Sequence, residues 1–356
     1  MPIRNLAAFF LAAFTVLAGA SGYWSLIERE PLIDRQDNPR QLIAFDRIQR
    51  GRIVDHNGAV LAESTGQPGD YTRLYPEPSA AHVAGYASFR YGLSGIESAA
   101  DSILRGEAGL SDLEKWWRFD LLGEPQIGRD VQLTLDINLQ RAAFDVLDNA
   151  AGAVVIVDVY NGDILALASS PTFDAAQLEL DFESIAKDDA GPLFNRATLG
   201  LYPPGAILEL FPPTLDLTTA PELPIPTRAD PNGEKVTPLQ MALLAAAVAG
   251  NGEMPAPRLI AAVQSPSGWG EQSASGHPIA ILPPDATDRL WAKFETGATT
   301  LNLPMPGYTA TAPTITGGAT IGWFVGYTPD GKRAVCVVLE DANGADAARA
   351  AGELMP

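Results

Sequence analysis

The stretch at residues 152–174, GAVVIVDVYNGDILALASSPTFD, decides the fold prediction for this chain of 356 residues. Two apolar runs, residues 153–159 and 164–168, flank a turn that contains Asn161 and Gly162. An Asn-Gly pair between apolar runs is typical of a β-hairpin, because both residues tolerate the positive φ of a tight turn. The stretch therefore predicts two buried antiparallel strands.

A second hairpin is predicted near the C-terminus, where residues 321–327 and 334–340 flank a Pro-Asp-Gly turn. Helices are predicted between the two hairpins, notably at residues 237–249, which open on a threonine cap and a proline. A closing helix is predicted at residues 345–354. Strands, then helices, then strands favour an α+β fold, with an antiparallel sheet flanked by helices, over a parallel doubly wound sheet.

The region before residue 130 predicts a smaller β-rich unit. An Asn-Gly turn within residues 52–62 indicates another hairpin. Ser94 and Glu97 have the spacing of a capping box, which predicts the start of a helix. Trp116, Trp117 and Phe119 are predicted to form a buried aromatic cluster rather than a ligand-binding surface.

The N-terminus carries a long apolar run. Residues 6–27 contain no charged side chain and follow Arg4, so a helix there would be long enough to cross a bilayer, with Arg4 on the cytoplasmic side. The alternative is a cleaved signal peptide with its small-residue site at residues 18–20, but the apolar run continues past that site. We therefore expect a single-pass anchor in the cell membrane, with the bulk of the chain extracytoplasmic.

Composition excludes several classes of function. A formal net charge of −19 argues against nucleic-acid binding, because no basic patch would dominate such a field. The single cysteine, Cys336, lies in an apolar run and is expected in the core. The histidines at positions 56, 82 and 277 lack ligand spacing, so neither a metal nor another cofactor is predicted.

Residues 195–210, NRATLGLYPPGAILEL, hold the candidate functional turn. Its prolines and glycines fix the backbone so that the first residue of the following helix is rigidly aimed. That residue, at the positive end of a helix, is where an enzyme would place a nucleophile. Here it is Ala206, which offers no nucleophile.

Several long segments in order resemble the class B penicillin-binding proteins, membrane-anchored D,D-transpeptidases that cross-link peptidoglycan. They are RGRIVDHNGAVLAES from Arg50, AHVAGYASFRYGLSGIESAADSILRGE from Ala81, DVQLTLDINLQRAA from Asp130, the opening hairpin, VTPLQMALLAAAVAGNG from Val236 and WFVGYTP from Trp323. The resemblance implies a penicillin-binding transpeptidase-like (serine β-lactamase-like) α+β fold. It implies a cytoplasmic tail and transmembrane anchor at residues 1–28, a small pedestal domain at 29–128, and a transpeptidase-like domain with a shortened helical subdomain at 129–356.

The catalytic signature of that family, S-x-x-K, S-x-N and K-T-G, is degenerate here. Ala206 and Glu209 stand where the resemblance places the serine and lysine, and the proline-rich segment between Glu209 and Val236 contains no Ser-x-Asn. The nearest counterpart of K-T-G is Ile315-Thr316-Gly317-Gly318, in which Ile315 replaces the lysine. Thr316, Gly317 and Gly318 are retained as candidate substrate-binding residues.

Three functions remain open at this point. The leading one is a non-catalytic scaffold or regulator of cell-wall synthesis or division, and the second is a module that binds peptidoglycan or its stem peptides. An active D,D-transpeptidase is disfavoured because the nucleophile is missing. Relocated catalysis would need Ser169, Ser170, Thr198 or Thr214, none of which has a neighbouring lysine or histidine in sequence, or would use Glu209 as a general base in a hydrolase.

The resemblance also implies partners. Through the anchor and residues 50–109, the chain is expected to contact a polytopic lipid II polymerase of the shape, elongation, division and sporulation class. Other cell-envelope or divisome proteins, and peptidoglycan itself, are further expected partners.

Overall fold

The computed structural model describes residues 3–26, 45–303, 305–314 and 318–354. Short helical turns of 3₁₀ type lie at Pro78–Ala80 and Gly205–Leu210, and a π-helical turn lies at Trp116–Leu121. The α-helices are α1 (Ile3–Leu26), α2 (Ala81–Ala84), α3 (Gly95–Ala99), α4 (Asp101–Leu104), α5 (Asp112–Lys115), α6 (Ile137–Asp145), α7 (Leu178–Ala186), α8 (Arg196–Leu199), α9 (Pro238–Ala249), α10 (Pro284–Leu301) and α11 (Gly344–Leu354).

Most strands come in sequence-adjacent pairs. They are β1 (Ile53–Val54), β2 (Val60–Gln67), β3 (Asp70–Leu74), β4 (Ala87–Ser88), β5 (Gly92–Leu93), β6 (Val131–Leu133), β7 (Gly152–Asp158), β8 (Ile164–Ser170), β9 (Glu253–Met254), β10 (Ile260–Ser265), β11 (Gly268–Glu271), β12 (Ile279–Ala280), β13 (Gly307–Pro313), β14 (Thr320–Tyr327) and β15 (Arg333–Glu340).

The larger core is built on a five-stranded sheet in the order β13-β14-β15-β7-β8. Every neighbouring pair is antiparallel, so the two predicted hairpins, β7–β8 and β14–β15, are confirmed and join through β15 and β7. Helix α9 packs on one face, and α6 and α11 pack on the other. Side chains of β7 and β15 are buried on both faces, which explains their continuous apolar runs. Cys336 is one of them and is fully buried, as expected.

The helices between the hairpins follow their local sequence signals. Thr237 caps α9 in a reciprocal capping box with Gln240, and Pro238 occupies the first turn, as predicted. Helix α9 itself is buried along nearly its whole length, because its Ala- and Leu-rich sequence is apolar on every side. The result is an α+β architecture of a sheet flanked by helices.

A second sheet joins the N-terminal and C-terminal parts of the chain. Its strands are ordered β11-β10-β6-β1-β2-β3, with β6 pairing parallel to β1 and antiparallel to β10. The predicted domain boundary between residues 128 and 129 falls just before β6. Backbone hydrogen bonding therefore runs without interruption across that boundary.

Helix α1 spans Ile3–Leu26 and exposes large apolar side chains such as Phe9, Phe10 and Phe14. Among the described residues, however, no helix combines the length and the apolarity needed to cross a membrane. The predicted transmembrane helix is therefore not supported. Ile27, the last residue of the predicted span, lies outside the described residues.

In the N-terminal unit a helix, α3, begins directly after Ser94, as predicted, but the predictions of a capping box and of a buried aromatic cluster are wrong. Ser94 occupies the cap position of α3, but its hydroxyl accepts the N–H of Tyr86, and Glu97 turns into the interior instead of completing a capping box. Trp116 and Trp117 are about half exposed on the π-helical turn instead of forming a buried cluster.

Candidate functional site

The turn predicted to aim a nucleophile is rigidly held in the structure. Gly205 opens a 3₁₀ turn at a φ of 59°, a left-handed conformation that favours glycine. Just before it, the backbone of Tyr202 pairs with Val236 through two hydrogen bonds of 3.0 and 2.9 Å. The indole N–H of Trp323 donates to the carbonyl oxygen of Pro203 at 2.9 Å. The turn is therefore tied to both the central sheet and the segment that leads into α9.

Position 206 is the first residue after that glycine, and its methyl group faces solvent. Ile207, next along the turn, is fully buried and anchors it in the core. Glu209 is exposed, and among the described residues its carboxylate has no hydrogen-bond or ion-pair partner. The turn thus presents a methyl group and, three residues further on, an exposed carboxylate.

The strand beside the turn is β13, GYTATAP at Gly307–Pro313. A Cβ placed on Gly205 would lie 3.2 Å from the Ala310 Cβ and 3.3 Å from the Ala312 Cβ. This strand pairs along its full length with β14, which carries the WFVGY segment. It therefore lies between the turn and the rest of the sheet, with Tyr308 and Thr309 near its start.

The predicted counterpart of K-T-G, residues 315–318, lies between β13 and β14 in the sequence. Ile315, Thr316 and Gly317 lie outside the described residues, so their predicted role stays a prediction. Gly318 is exposed at a φ of 101°, in the connection between β13 and β14. The missed signal was the Gly-x-Thr-x-Thr-Ala pattern of β13, which carries no lysine and so did not stand out.

A half-buried carboxylate, that of Glu340, connects the turn to the last strand of the sheet hairpin, β15. Glu340 accepts a hydrogen bond from Arg196 Nε at 2.8 Å and another from the Tyr202 hydroxyl at 2.7 Å. Burial, and then the charge of Glu340, raise the pKa of Tyr202 well above its ordinary value. Tyr202 therefore remains a protonated hydrogen-bond donor at every physiological pH.

The segment after the turn contains no helix from Phe211 to Val236. Its course is fixed by Gln240, whose side-chain amide donates to the carbonyl oxygen of Leu217 at 2.9 Å, and by Asp230, whose carboxylate accepts three backbone N–H groups. The predicted absence of a helical subdomain bearing Ser-x-Asn agrees with this coil.

The alternative nucleophiles have structural roles or lack a base. Ser169 accepts the backbone N–H of Arg196 at 2.9 Å and donates to the Phe194 carbonyl oxygen at 3.3 Å. Ser170 is buried, and Thr214 is exposed. The hydroxyl of Thr198 is buried and has no partner among the described residues. In the described part of the chain, none of these hydroxyls contacts a lysine, and none contacts a histidine.

One group of side chains has the composition of a metal site. Ligand atoms of Asp55, His56 and Asp136 lie within 4.8 Å of one another. Both carboxylates are already engaged by backbone N–H groups, however: Asp55 accepts from a turn of the hairpin, and Asp136 caps α6. The cluster therefore has a structural role, in which its carboxylates hold the turn of the β1–β2 hairpin and the start of α6 in place.

Comparison with known families matches two parts of the chain. Residues 50–131 match the penicillin-binding protein A dimerisation domain, and residues 226–356 match the penicillin-binding protein transpeptidase domain. The chain is 30% identical over 251 residues to the peptidoglycan D,D-transpeptidase PbpA of Mycolicibacterium smegmatis. The match covers 63% of this chain and 50% of that relative, so the chain spans about half the length of the relative. It is also 33% identical over 150 residues to MrdA, a peptidoglycan D,D-transpeptidase of Escherichia coli K12, covering 39% of this chain and 23% of that protein.

Solved structures show the same fold at low sequence identity. The D,D-transpeptidase domain of a peptidoglycan glycosyltransferase from Eggerthella lenta superposes with a TM-score of 0.70 at 24% identity, covering 87% of this chain and 97% of that one. The penicillin G acyl-enzyme complex of penicillin-binding protein A from Mycobacterium tuberculosis superposes with a TM-score of 0.71 at 21% identity, covering 86% and 99% of the two chains.

Proposed function

Because this chain belongs to the class B penicillin-binding protein family, we propose that it is a non-catalytic member that acts as a scaffold or regulator of peptidoglycan synthesis. One observation carries the proposal. The turn that would present the nucleophile keeps its rigid geometry, yet places the methyl group of Ala206 at the exposed position.

The surroundings of the turn support the same conclusion. An alanine methyl group cannot be acylated, either by a peptide or by a β-lactam. Glu209 puts a negative charge where a lysine would lower the pKa of a serine, so it would disfavour the ionised nucleophile. Tyr308 begins the neighbouring strand and offers no cation to a substrate carboxylate.

Labelling with a fluorescent penicillin tests the absence of catalysis. The purified full chain is incubated with the reagent beside an active transpeptidase relative, and covalent adducts are counted by mass spectrometry after denaturation. We expect the relative to be labelled and this chain to remain unmodified. A stoichiometric adduct on this chain would overturn the proposal, whichever side chain carried it.

The scaffold role requires a partner. We propose a polytopic lipid II polymerase of the shape, elongation, division and sporulation class, contacted through the N-terminal helix and residues 50–109. The exposed apolar side chains of α1 support this proposal, and they also support attachment to the cell membrane. Co-purification from detergent-solubilised membranes tests it: the full chain should retain the polymerase, and a chain lacking residues 1–44 should lose it. Equal recovery by both chains would count against the proposed contact.

A further inference from the structure

We propose that a cleft beside the functional turn binds a ligand that carries a carboxylate next to an apolar group, such as the last residue of a peptide. The cleft has a volume of about 320 Å³. Its walls include Phe194, Leu199, Leu201, Arg228, Lys235 and Glu340. Ala206 does not line it, so this site is separate from the position of the absent nucleophile and does not rest on the proposed function.

Two cations give the cleft its character. Arg228 is exposed and Lys235 is half-buried, and neither side chain has an ion-pair partner in the described part of the chain. In a protein with a net charge of −19, carboxylates that could neutralise such cations are abundant. Lys235 interacts electrostatically with the carboxylate of Asp230, which does not line the cleft. Arg228 lies in the same cleft and has no ion pair among the described residues, so the site favours binding of an anion.

The acidic residue of the cleft does not cancel these charges. Glu340 is engaged by the guanidinium of Arg196 at 2.8 Å and by the hydroxyl of Tyr202 at 2.7 Å. With the charge of Glu340 balanced by Arg196, and that of Lys235 partly balanced by Asp230, the cleft retains a net positive charge from Arg228 and Lys235.

The backbone positions of both cations are fixed. The N–H of Arg228 donates to the carbonyl oxygen of Thr198 at 3.0 Å, and the N–H of Lys235 donates to the Asp230 carboxylate at 3.0 Å. A guanidinium can bind both oxygens of a carboxylate, and an ammonium adds a point charge. Phe194, which is 39% exposed, and the half-buried Leu199 and Leu201 provide apolar contact beside that charge. This combination selects a carboxylate attached to an apolar side chain over a small hydrated ion.

Titration of the full chain with N-acetyl-leucine, followed by NMR chemical-shift changes, tests the site. N-acetyl-leucine amide tests the need for the carboxylate, because it is uncharged. Inorganic phosphate tests the need for the apolar group, because it is an anion without one. The cleft variant is Arg228→Gln/Lys235→Gln. The matched control is Arg289→Gln/Lys293→Gln, which removes the same charges from exposed positions on α10, outside the cleft.

We expect the wild-type chain and the control variant to bind N-acetyl-leucine equally, with shifts at residues 194–202 and 228–235. Removal of either the ligand carboxylate or the two cations should weaken binding by about tenfold or more, as expected for loss of charge-assisted hydrogen bonds. Absence of binding to the wild type, equal binding of acid and amide, or equal weakening in the two variants would overturn the proposal. Phosphate binding as tight as that of N-acetyl-leucine would overturn the assignment of a carboxylate beside an apolar group.

Discussion

The indole Nε1–H of Trp323 donates a hydrogen bond to the carbonyl oxygen of Pro203 at 2.9 Å. The Trp323 ring is fully buried in β14 and meets the ring of Tyr202 edge-on, with centroids 6.1 Å apart. A central strand of the sheet therefore holds the turn through one side chain, independently of any residue on the turn's exposed side.

Replacement of that indole should loosen the turn. Trp323→Phe keeps much of the apolar volume but removes the donor, and we expect the free energy of unfolding to fall by about 1–3 kcal/mol. Urea denaturation measures the change. Trp291→Phe, at a half-exposed position on α10, is the matched control and should change stability by less than about 0.5 kcal/mol. Equal effects of the two substitutions would contradict the role assigned to Trp323.

Gly205 should tolerate alanine poorly, for two separable reasons. Its φ of 59° disfavours any L side chain, and the new Cβ would press on Ala310 and Ala312 at 3.2 and 3.3 Å. Gly331 has a similar φ of 68° but nothing within 4 Å of its Cβ position. We expect Gly331→Ala to cost about 1 kcal/mol from backbone strain alone, and Gly205→Ala to cost about 1–3 kcal/mol more. Thermal and urea unfolding measure the free energy of unfolding of both variants. A larger loss for Gly331→Ala than for Gly205→Ala would contradict the prediction.

The N-terminal unit depends on a buried ion network. Glu97 is fully buried and pairs with Arg50 at 2.8 Å and with Arg73 at 2.6 Å. Glu97→Gln would leave the buried guanidinium of Arg73 without an anion and that of Arg50 with Asp101 alone, so we expect the free energy of unfolding to fall by about 3–5 kcal/mol. Glu183→Gln, on the exposed face of α7, should have little effect. A loss below about 1 kcal/mol for Glu97→Gln would show that solvent reaches the network.

His82 should make stability depend on pH. It lies in α2, and its Nε2 contacts the carbonyl oxygen of Pro192 at 2.9 Å. Burial lowers the pKa of His82 from 6.5 to about 4; the bond to Pro192 opposes this shift, and Arg196 adds to it. The unfolded chain therefore binds this proton at higher pH than the folded chain does. The contribution of the neutral His82 ring to the free energy of unfolding is fully present above about pH 6.5. It is lost as pH falls to about 4, and the total loss is about 3 kcal/mol.

Substitution of His82 separates its contribution to the pH dependence of stability from that of the other groups that titrate in acid. His82→Gln keeps a donor for Pro192 but cannot be protonated, so its stability should fall less steeply than that of the wild type between pH 6.5 and pH 4. His277→Gln, at an exposed position, should follow the wild-type curve. Urea titrations at each pH measure the slopes, and parallel curves for wild type and His82→Gln would refute the prediction.

Introducing a serine at position 206 and then a lysine at position 209 should increase the rate of labelling by fluorescent penicillin step by step. Ala206→Ser alone would place a hydroxyl on the exposed turn beside Glu209, whose charge disfavours ionisation of that hydroxyl. Ala206→Ser/Glu209→Gln removes that charge, so we expect faster labelling by fluorescent penicillin than for the single variant. Ala206→Ser/Glu209→Lys reverses the charge and should be labelled faster still. Label that is independent of residue 209 would show that the turn needs no cation.

The hairpins, the capped helix α9 and the position of the turn were predictable because their signals are local. Asn-Gly turns and the Thr237 capping box specify backbone conformation within a few residues. The identity of Ala206 and Glu209 was likewise readable from the rigid Tyr-Pro-Pro-Gly sequence before them.

Other features depend on distant partners that no local pattern reveals. Glu97 has the spacing of a capping residue, but Arg50 and Arg73 draw it into the interior. The strand beside the turn, β13, carries no lysine and was not singled out from the sequence; only the packing of Ala310 and Ala312 against Gly205 identifies it as the neighbour of the turn. The cleft cations Arg228 and Lys235 come together because the coil before α9 folds back along Tyr202.

Strand β6 lies between β1 and β10 in the second sheet, so backbone hydrogen bonds connect the two matched segments, residues 50–131 and 226–356. A cut placed between those segments would leave β6 without β10 on one fragment and β10 without β6 on the other, and each bared edge would be open to pairing with a foreign strand. A force applied to the N-terminal hairpin would also be borne by β10 through backbone hydrogen bonds, with no flexible linker to absorb it. A partner that binds the β1–β2 hairpin would therefore transmit force through β6 and β10 to the C-terminal half of the chain.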